Sequence, residues 1–145
     1  MNLDQIFQLA NATALAGWLV LLASPLAPVW SDRIAGYAIP LVLALAYTAL
    51  VAVHFGGADG GFGSLDDVAT LFTQRETVLV GWIHFLAFDL FVGGWEVRTA
   101  RAERIPFLLV VPCLVFTFLL GPVGLLLFIA LRAARRARAS RSATP

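Results

Sequence analysis

The chain has 145 residues, of which 60% are hydrophobic and 13% are charged, and its formal net charge is +1. A mean hydropathy of +0.86 is too high for an ordinary soluble domain and predicts an integral membrane protein. The basic residues are all arginine and nearly balanced by acidic ones, so no nucleic-acid partner is expected.

Four segments are apolar enough, and long enough at roughly 20 residues, to cross a membrane as helices. They run from about Ile6 to Leu26, Ile34 to Phe55, Thr77 to Trp95 and Phe107 to Leu131. The connections between them are short, which predicts an all-α fold with one domain, a four-transmembrane-helix bundle over residues 1–131. The arginine-rich tail, residues 132–145, is expected to be disordered.

A glycine-rich loop, residues 56–63, separates the second and third predicted spans, because so many glycines cannot continue a helix. Ser64 after this loop predicts the cap of a short amphipathic helix that carries Leu65, Val68, Leu71 and Phe72. This helix is expected to lie on the membrane surface or to cover one end of the bundle.

The arginines predict the orientation through the positive-inside rule. The tail after Leu131 is basic and is expected to stay cytoplasmic, in the inner membrane of a bacterium, since the composition is rich in alanine and arginine. Four spans would place the N-terminus on the same side as this tail.

The third predicted span contains Asp89, the only carboxylate deep in any span, together with His84. A carboxylate in a membrane normally faces the bundle interior or a wet cavity and marks a functional site. His84 precedes Asp89 by five residues and points about 140° away from it, so the two are expected to flank one pocket rather than to pair directly. The alternative is that His84 and Asp89 have no functional role and only stabilise helix packing through interhelical hydrogen bonds.

Neighbouring polar and aromatic side chains complete this hypothetical site. We expect His84 and Asp89 to be catalytic, as a proton-transferring set, and the others to bind the substrate. The expected substrate-binding residues are Asn11, Tyr47, Trp82, Phe85, Phe88 and Thr117. The aromatic rings suit a long apolar ligand, although lipid-facing rings are the simpler interpretation. No metal is expected, because the two histidines lack a ligand spacing.

Three stretches of the sequence resemble a known family, the abscisic acid-deficient-four-like family. They are residues 62–72, from Phe62-Gly63-Ser64; residues 81–91, from Gly81-Trp82-Ile83-His84 to Asp89-Leu90-Phe91; and Gly121-Pro122-Val123-Gly124. Plant members are associated with neoxanthin synthesis. The resemblance implies an intramolecular isomerase, a neoxanthin synthase-like protein that opens an epoxide and forms an allene. Such a rearrangement needs an acid and a base and no redox cofactor, and His84 and Asp89 are the candidates.

Two functions remain open at this point. The first is a carotenoid- or isoprenoid-modifying membrane protein, and the second is a non-catalytic protein that binds a pigment or lipid or assists a partner enzyme. The expected partners are membrane lipid, a carotenoid or isoprenoid ligand, and either a second copy of the chain or a partner membrane enzyme.

Overall fold

The computed structural model describes residues 2–57 and 59–142, with side chains through residue 138, and these residues form helices and no strand. Helix α1 spans Leu3–Leu22, α2 Pro28–Arg33, α3 Ile39–His54, α4 Leu65–Leu71, α5 Arg75–Ala102, α6 Phe107–Leu120 and α7 Pro122–Ser142. A π-helical turn, Ile34–Ala38, joins α2 to α3, and a 3-10 turn, Phe55–Gly57, extends α3.

Three helical segments are long and apolar enough to cross a membrane: Leu3–Leu22, Pro28–Gly57 and Arg75–Ala102. Each differs at its ends from the predicted span. Helix α1 begins earlier, because Asn2 and Gln5 form a capping box, and it ends before Pro25. The second segment starts at Pro28, since proline suits the first turn of a helix.

Helix α5 lies at the centre of the fold and packs against α1, α3 and α6. It runs parallel to α1, since Arg75 meets Asp4 at one end and Gly93 meets Trp18 further along. It runs antiparallel to α3, because Gly94 approaches Gly36. Gly93 allows α1 and α5 to pack closely, because a Cβ atom at this position would lie 2.8 Å from the Trp18 ring.

The prediction of a fourth continuous span, Phe107 to Leu131, is wrong. The helix stops at Gly121, whose φ of 40° lies in a region that favours glycine, and a new helix starts at Pro122. Helix α6 has 14 residues and is about 21 Å long, shorter than the roughly 30 Å hydrocarbon core.

Helix α7 turns back along α5 rather than continuing in the direction of α6. Gly124 packs against Thr117, the Phe128 ring lies 5.4 Å from the Trp95 ring, and Arg132 binds Glu103 beyond the end of α5. Helices α6 and α7 therefore form a hairpin whose two open ends lie on the same side of the bundle. Its tip, at Gly121, touches Asp89 midway along α5.

This hairpin changes the predicted arrangement of the termini. The start of α1 lies at the Arg75 end of α5, whereas α7 leaves the bundle at the Glu103 end. The N-terminus and the tail are thus on opposite sides, not on the same side as four spans would require. Helix α7 continues to Ser142 into the predicted tail, and residues 143–145 lie outside the described residues.

The short helix predicted after the glycine-rich loop is confirmed as α4. The Ser64 hydroxyl accepts a 3.1 Å hydrogen bond from the backbone N–H of Asp67, as a capping residue does. Leu71 is buried, and Phe72 packs over Gly81 of α5. Helix α4 therefore covers the Arg75 end of the bundle.

Candidate functional site

The predicted residue Asp89 projects into a cavity of about 480 Å³ between α1, α5 and the tip of the α6–α7 hairpin. We call this space the Asp89 cavity. It is lined by Asn11, Trp82, Phe85, Leu86, Asp89, Phe118, Leu119, Leu120, Gly121 and Pro122. Apart from Asp89 and Asn11, the lining is apolar or aromatic, which is typical of a site for a mostly apolar ligand.

The Asp89 side chain is half-buried and sits midway along the 28-residue helix α5. A Cβ atom on Gly121 would lie 2.6 Å from Asp89 Oδ1, so the carboxyl group rests directly against the hairpin tip. Among the described residues, no side chain or backbone group makes a hydrogen bond or ion pair with the Asp89 carboxyl group. The carboxyl group is thus available to a ligand.

Trp82 and Asn11 form the polar wall of the cavity opposite the hairpin. The Trp82 indole Nε1–H donates a 3.0 Å hydrogen bond to Asn11 Oδ1. The Asn11 side-chain amide donates in turn to the carbonyl oxygen of Phe7, at 2.8 Å. These two hydrogen bonds fix the indole ring, so Trp82 presents a rigid aromatic face to the cavity that Asp89 also lines.

The structure separates His84 from Asp89. The His84 ring stacks on Phe88, with centroids 4.6 Å apart, and lies 5.5 Å from the Tyr47 ring on the α3 side of α5. His84 does not line the Asp89 cavity. The angle of about 140° between the two side chains directs them to different surfaces of α5, so they do not flank one pocket.

The predicted substrate-binding residues fall into three places. Asn11, Trp82 and Phe85 line the Asp89 cavity. Tyr47 and Phe88 contact His84 on the α3 side of α5, and the edge of the His84 ring also meets Phe85. Thr117 lines neither surface, because its hydroxyl is buried and donates a 2.9 Å hydrogen bond to Glu96 Oε1.

Sequence reasoning missed two features of this region. Glu96, one residue after the predicted end of the third span, is completely buried. The hairpin tip also contributes to the cavity, through Phe118, Leu119, Leu120, Gly121 and Pro122. A Gly-Pro pair inside an apolar segment is a signal for a helix break and could have indicated the turn.

Cys113 is free and buried in the core. Within the described part of the chain, no group of three or more histidine, cysteine, aspartate or glutamate side chains is arranged to hold a metal ion.

A comparison with family models gives one match: the model of the ABA DEFICIENT 4-like family covers residues 5–128. The matched region includes all but the first two residues of the three spans, α6 and the first part of α7, and it contains every residue that lines the Asp89 cavity. No curated protein and no solved structure matches the chain.

Proposed function

The chain belongs to the ABA DEFICIENT 4-like family, and on this premise we propose that it binds a carotenoid or related isoprenoid and rearranges it at Asp89. One observation carries the proposal: a carboxyl group that has no hydrogen-bond or ion-pair partner among the described side chains faces an apolar cavity at the middle of a spanning helix. Ionisable groups in such positions are costly to place in a membrane and mark functional sites.

A single carboxyl group can perform the proposed rearrangement in two steps. In its acid form, Asp89 donates its proton to an epoxide oxygen while the carbon–oxygen bond breaks. The resulting carboxylate then removes a proton from a carbon of the adjoining polyene, which gives an alcohol and an allene and restores the acid. Atoms and electrons balance without an oxidant or reductant, so the reaction is an isomerisation.

Trp82 and Phe85 support this chemistry by position. Both rings line the cavity on the same face of α5 as Asp89 and offer flat surfaces to a conjugated chain. The Trp82–Asn11 hydrogen bond keeps the indole from turning into the cavity. A ligand lying along these rings would hold its reactive end against the Asp89 carboxyl group.

The test is the pigment profile of a host that makes epoxidised carotenoids and expresses this chain. We expect a new isomer of unchanged mass, and we expect Asp89→Asn to lower its yield by about 10²- to 10⁴-fold, the usual contribution of a general acid or base. His84→Ala is the matched control on the same helix, because His84 does not line the cavity. An unchanged wild-type profile, or full activity in Asp89→Asn, would contradict the proposal.

A second candidate function is binding without turnover. The position of His84 favours it, because His84 does not line the cavity. Among the described lining residues, Asp89 is then the one titratable side chain, and no second acid or base stands beside it. A pigment that co-purifies with the protein and is recovered chemically unchanged would support this alternative.

The charge distribution supports an orientation in the membrane. Among arginines whose side chains are described, Arg75 lies at one end of the bundle, and the others are at the opposite end. These are Arg33, Arg98, Arg101, Arg104, Arg132, Arg135, Arg136 and Arg138. By the positive-inside rule, the arginine-rich end and the tail face the cytoplasm, and the N-terminus faces away from it.

A further inference from the structure

A second cavity, of about 260 Å³, lies between α3 and α5 and shares no lining residue with the Asp89 cavity. We call it the α3–α5 groove. Tyr37, Leu41 and Phe88 are each about half exposed, so the groove opens sideways from the bundle. Its lining is apolar or aromatic and consists of Tyr37, Pro40, Leu41, Ala44, Ala87, Phe88 and Phe91.

Arg98 stands at the end of this groove that is nearer the arginine-rich end of the bundle. Its guanidinium carbon lies 4.6 Å from the centroid of the Tyr37 ring, which is one of the lining rings. Arg98 follows Phe91 by seven residues, almost two helical turns, so both residues lie on the same face of α5. A positively charged group is therefore placed beside one end of an apolar groove.

Two glycines make room for the Arg98 side chain. Gly94 and Gly36 bring α5 so close to the π-helical turn that a Cβ atom on Gly94 would lie 2.8 Å from the Cα atom of Gly36. A Cβ atom on Gly36 would collide with Arg98 Nη1, and one on Gly94 would lie 3.2 Å from it. The notch between the two glycines and the Tyr37 ring thus fix the guanidinium group beside the groove.

Arg98 also differs from its neighbour Arg101 in its partners. Arg101, one turn further along α5, binds Asp32 at 2.7 Å. Within the described side chains, no carboxylate forms an ion pair with Arg98, or with Arg33, which lies about one turn before Tyr37. The positive charge at this end of the groove is therefore not neutralised by the described side chains, and an anionic group would complement it.

The level of Arg98 along α5 suits the phosphate group of a membrane lipid. Arg98 lies nine residues, or about 14 Å of helix, from Asp89 at the middle of α5. Half of the hydrocarbon core is about 15 Å thick, so Arg98 is at the boundary with the lipid head groups. From Tyr37 to Ala44 the groove extends about 10 Å towards the middle of the span, where an acyl chain would lie.

We infer that the α3–α5 groove and Arg98 bind an anionic phospholipid, with an acyl chain in the groove and the phosphate group on the guanidinium. Arg98 Nη1 is buried without a hydrogen-bond partner among the described residues, which leaves the Nε–Nη2 edge for a phosphate. The choline group of a zwitterionic lipid would add a positive charge near Arg98 and Arg33, so a lipid of net negative charge is preferred. This inference is independent of the proposed function, because it uses no residue that lines the Asp89 cavity.

The probes are dioleoylphosphatidylglycerol, which is anionic, and dioleoylphosphatidylcholine, which has the same acyl chains and is zwitterionic. Each is titrated into the purified full chain in detergent micelles, and native mass spectrometry measures the fraction of protein with lipid bound. We expect the wild-type protein to bind phosphatidylglycerol about fivefold more tightly, the effect of one arginine near the membrane surface. Glycerol 3-phosphate, a phosphate without acyl chains, should not displace the lipid.

Two pairs of variants separate the charge from the groove. Arg98→Gln should abolish the preference for phosphatidylglycerol, whereas Arg101→Gln should keep it, since it removes the same charge from an arginine that is already paired with Asp32. Ala44→Trp fills the groove and leaves Arg98 in place, so it should weaken binding of both lipids. Leu45→Trp is its control, because Leu45 is 70% exposed and does not line the groove.

Equal affinity of the wild-type protein for the two lipids would overturn the inference, as would a preference that survives in Arg98→Gln. Equal losses in Arg98→Gln and Arg101→Gln would also overturn it, because binding would then follow net charge alone. Displacement of the lipid by glycerol 3-phosphate would mean that the groove has no role. A dimer that Ala44→Trp disrupts and Leu45→Trp does not would assign the groove to a second copy of the chain instead of a lipid.

Discussion

The Thr117 hydroxyl donates a 2.9 Å hydrogen bond to Glu96 Oε1, and both side chains are completely buried. This bond joins α6 to α5 one helical turn before the hairpin tip at Gly121. The second Glu96 oxygen, Oε2, is buried without a hydrogen-bond partner within the described residues. The Thr117 hydroxyl is therefore the one described group that compensates the burial of this carboxyl group.

Replacement of Thr117 by valine should destabilise the protein by about 1 to 3 kcal/mol, because it leaves a buried acceptor unsatisfied while the side-chain volume hardly changes. The free energy of unfolding in mixed micelles of rising dodecyl sulfate content measures this loss. Thr117→Ser keeps the hydroxyl group and is the control, with a smaller expected effect. Equal stability of Thr117→Val and the wild-type protein would show that the bond does not hold the hairpin.

Gly121→Ala should destabilise the hairpin and weaken binding in the Asp89 cavity. An alanine at a φ of 40° is strained by about 1 to 2 kcal/mol, and its Cβ atom would lie 2.6 Å from Asp89 Oδ1. The carboxyl group must then shift away from its place in the cavity lining. Unfolding in mixed micelles and pigment binding measure the two effects. Gly57→Ala, where no atom lies within 4 Å of the added Cβ, should leave both unchanged.

The all-helical fold and the short helix α4 could be predicted because they depend on local signals. Hydrophobic length indicates a span, and Ser64 followed by Asp66 and Asp67 indicates a helix start, whatever the rest of the chain does. The reversal at Gly121 depends on more than local signals. A Gly-Pro pair predicts a break, but the direction of α7 after it is decided by distant partners, such as Glu103 for Arg132.

The candidate site could be predicted only in part for the same reason. Helical periodicity correctly separates His84 and Asp89 by about 140°, but it does not say which neighbouring helix each side chain will meet. Asn11 and Trp82 come together because α1 runs parallel to α5, and this depends on the topology of the whole bundle. The burial of Glu96 likewise depends on the return of the hairpin past Thr117.

Glu103 connects the end of α5 to α7 and should make stability depend on pH. Its carboxylate binds Arg132 and Arg136, whose hydrogen bonds and charges lower the pKa of Glu103 from an ordinary 4.5 to about 2. A lowered pKa in the folded state stabilises the protein above the unfolded-state value, and this contribution disappears as the pH falls from about 4.5 to about 2.

The measurement is the difference in unfolding free energy between the wild-type protein and Glu103→Gln in non-ionic detergent. We expect the wild-type protein to be the more stable at neutral pH and the difference to approach zero near pH 2. High salt should reduce the difference at neutral pH, because the Arg136 side chain is exposed. A difference that stays constant across this pH range would show that the charge of Glu103 does not hold α7.

The return of α7 predicts that α4 and the tail lie on opposite sides of the membrane, whereas four continuous spans would place them on the same side. Single cysteines introduced as Thr70→Cys and Ala134→Cys, each in a Cys113→Ser background, test this directly. In intact bacterial cells, a thiol reagent that does not cross the inner membrane should label position 70, and position 134 only after the cells are opened. Both positions are exposed, so access is decided by the side of the membrane rather than by burial. Labelling of both positions in intact cells, or of neither, would mean that α6 and α7 cross the membrane as one span and that the hairpin tip does not lie beside Asp89.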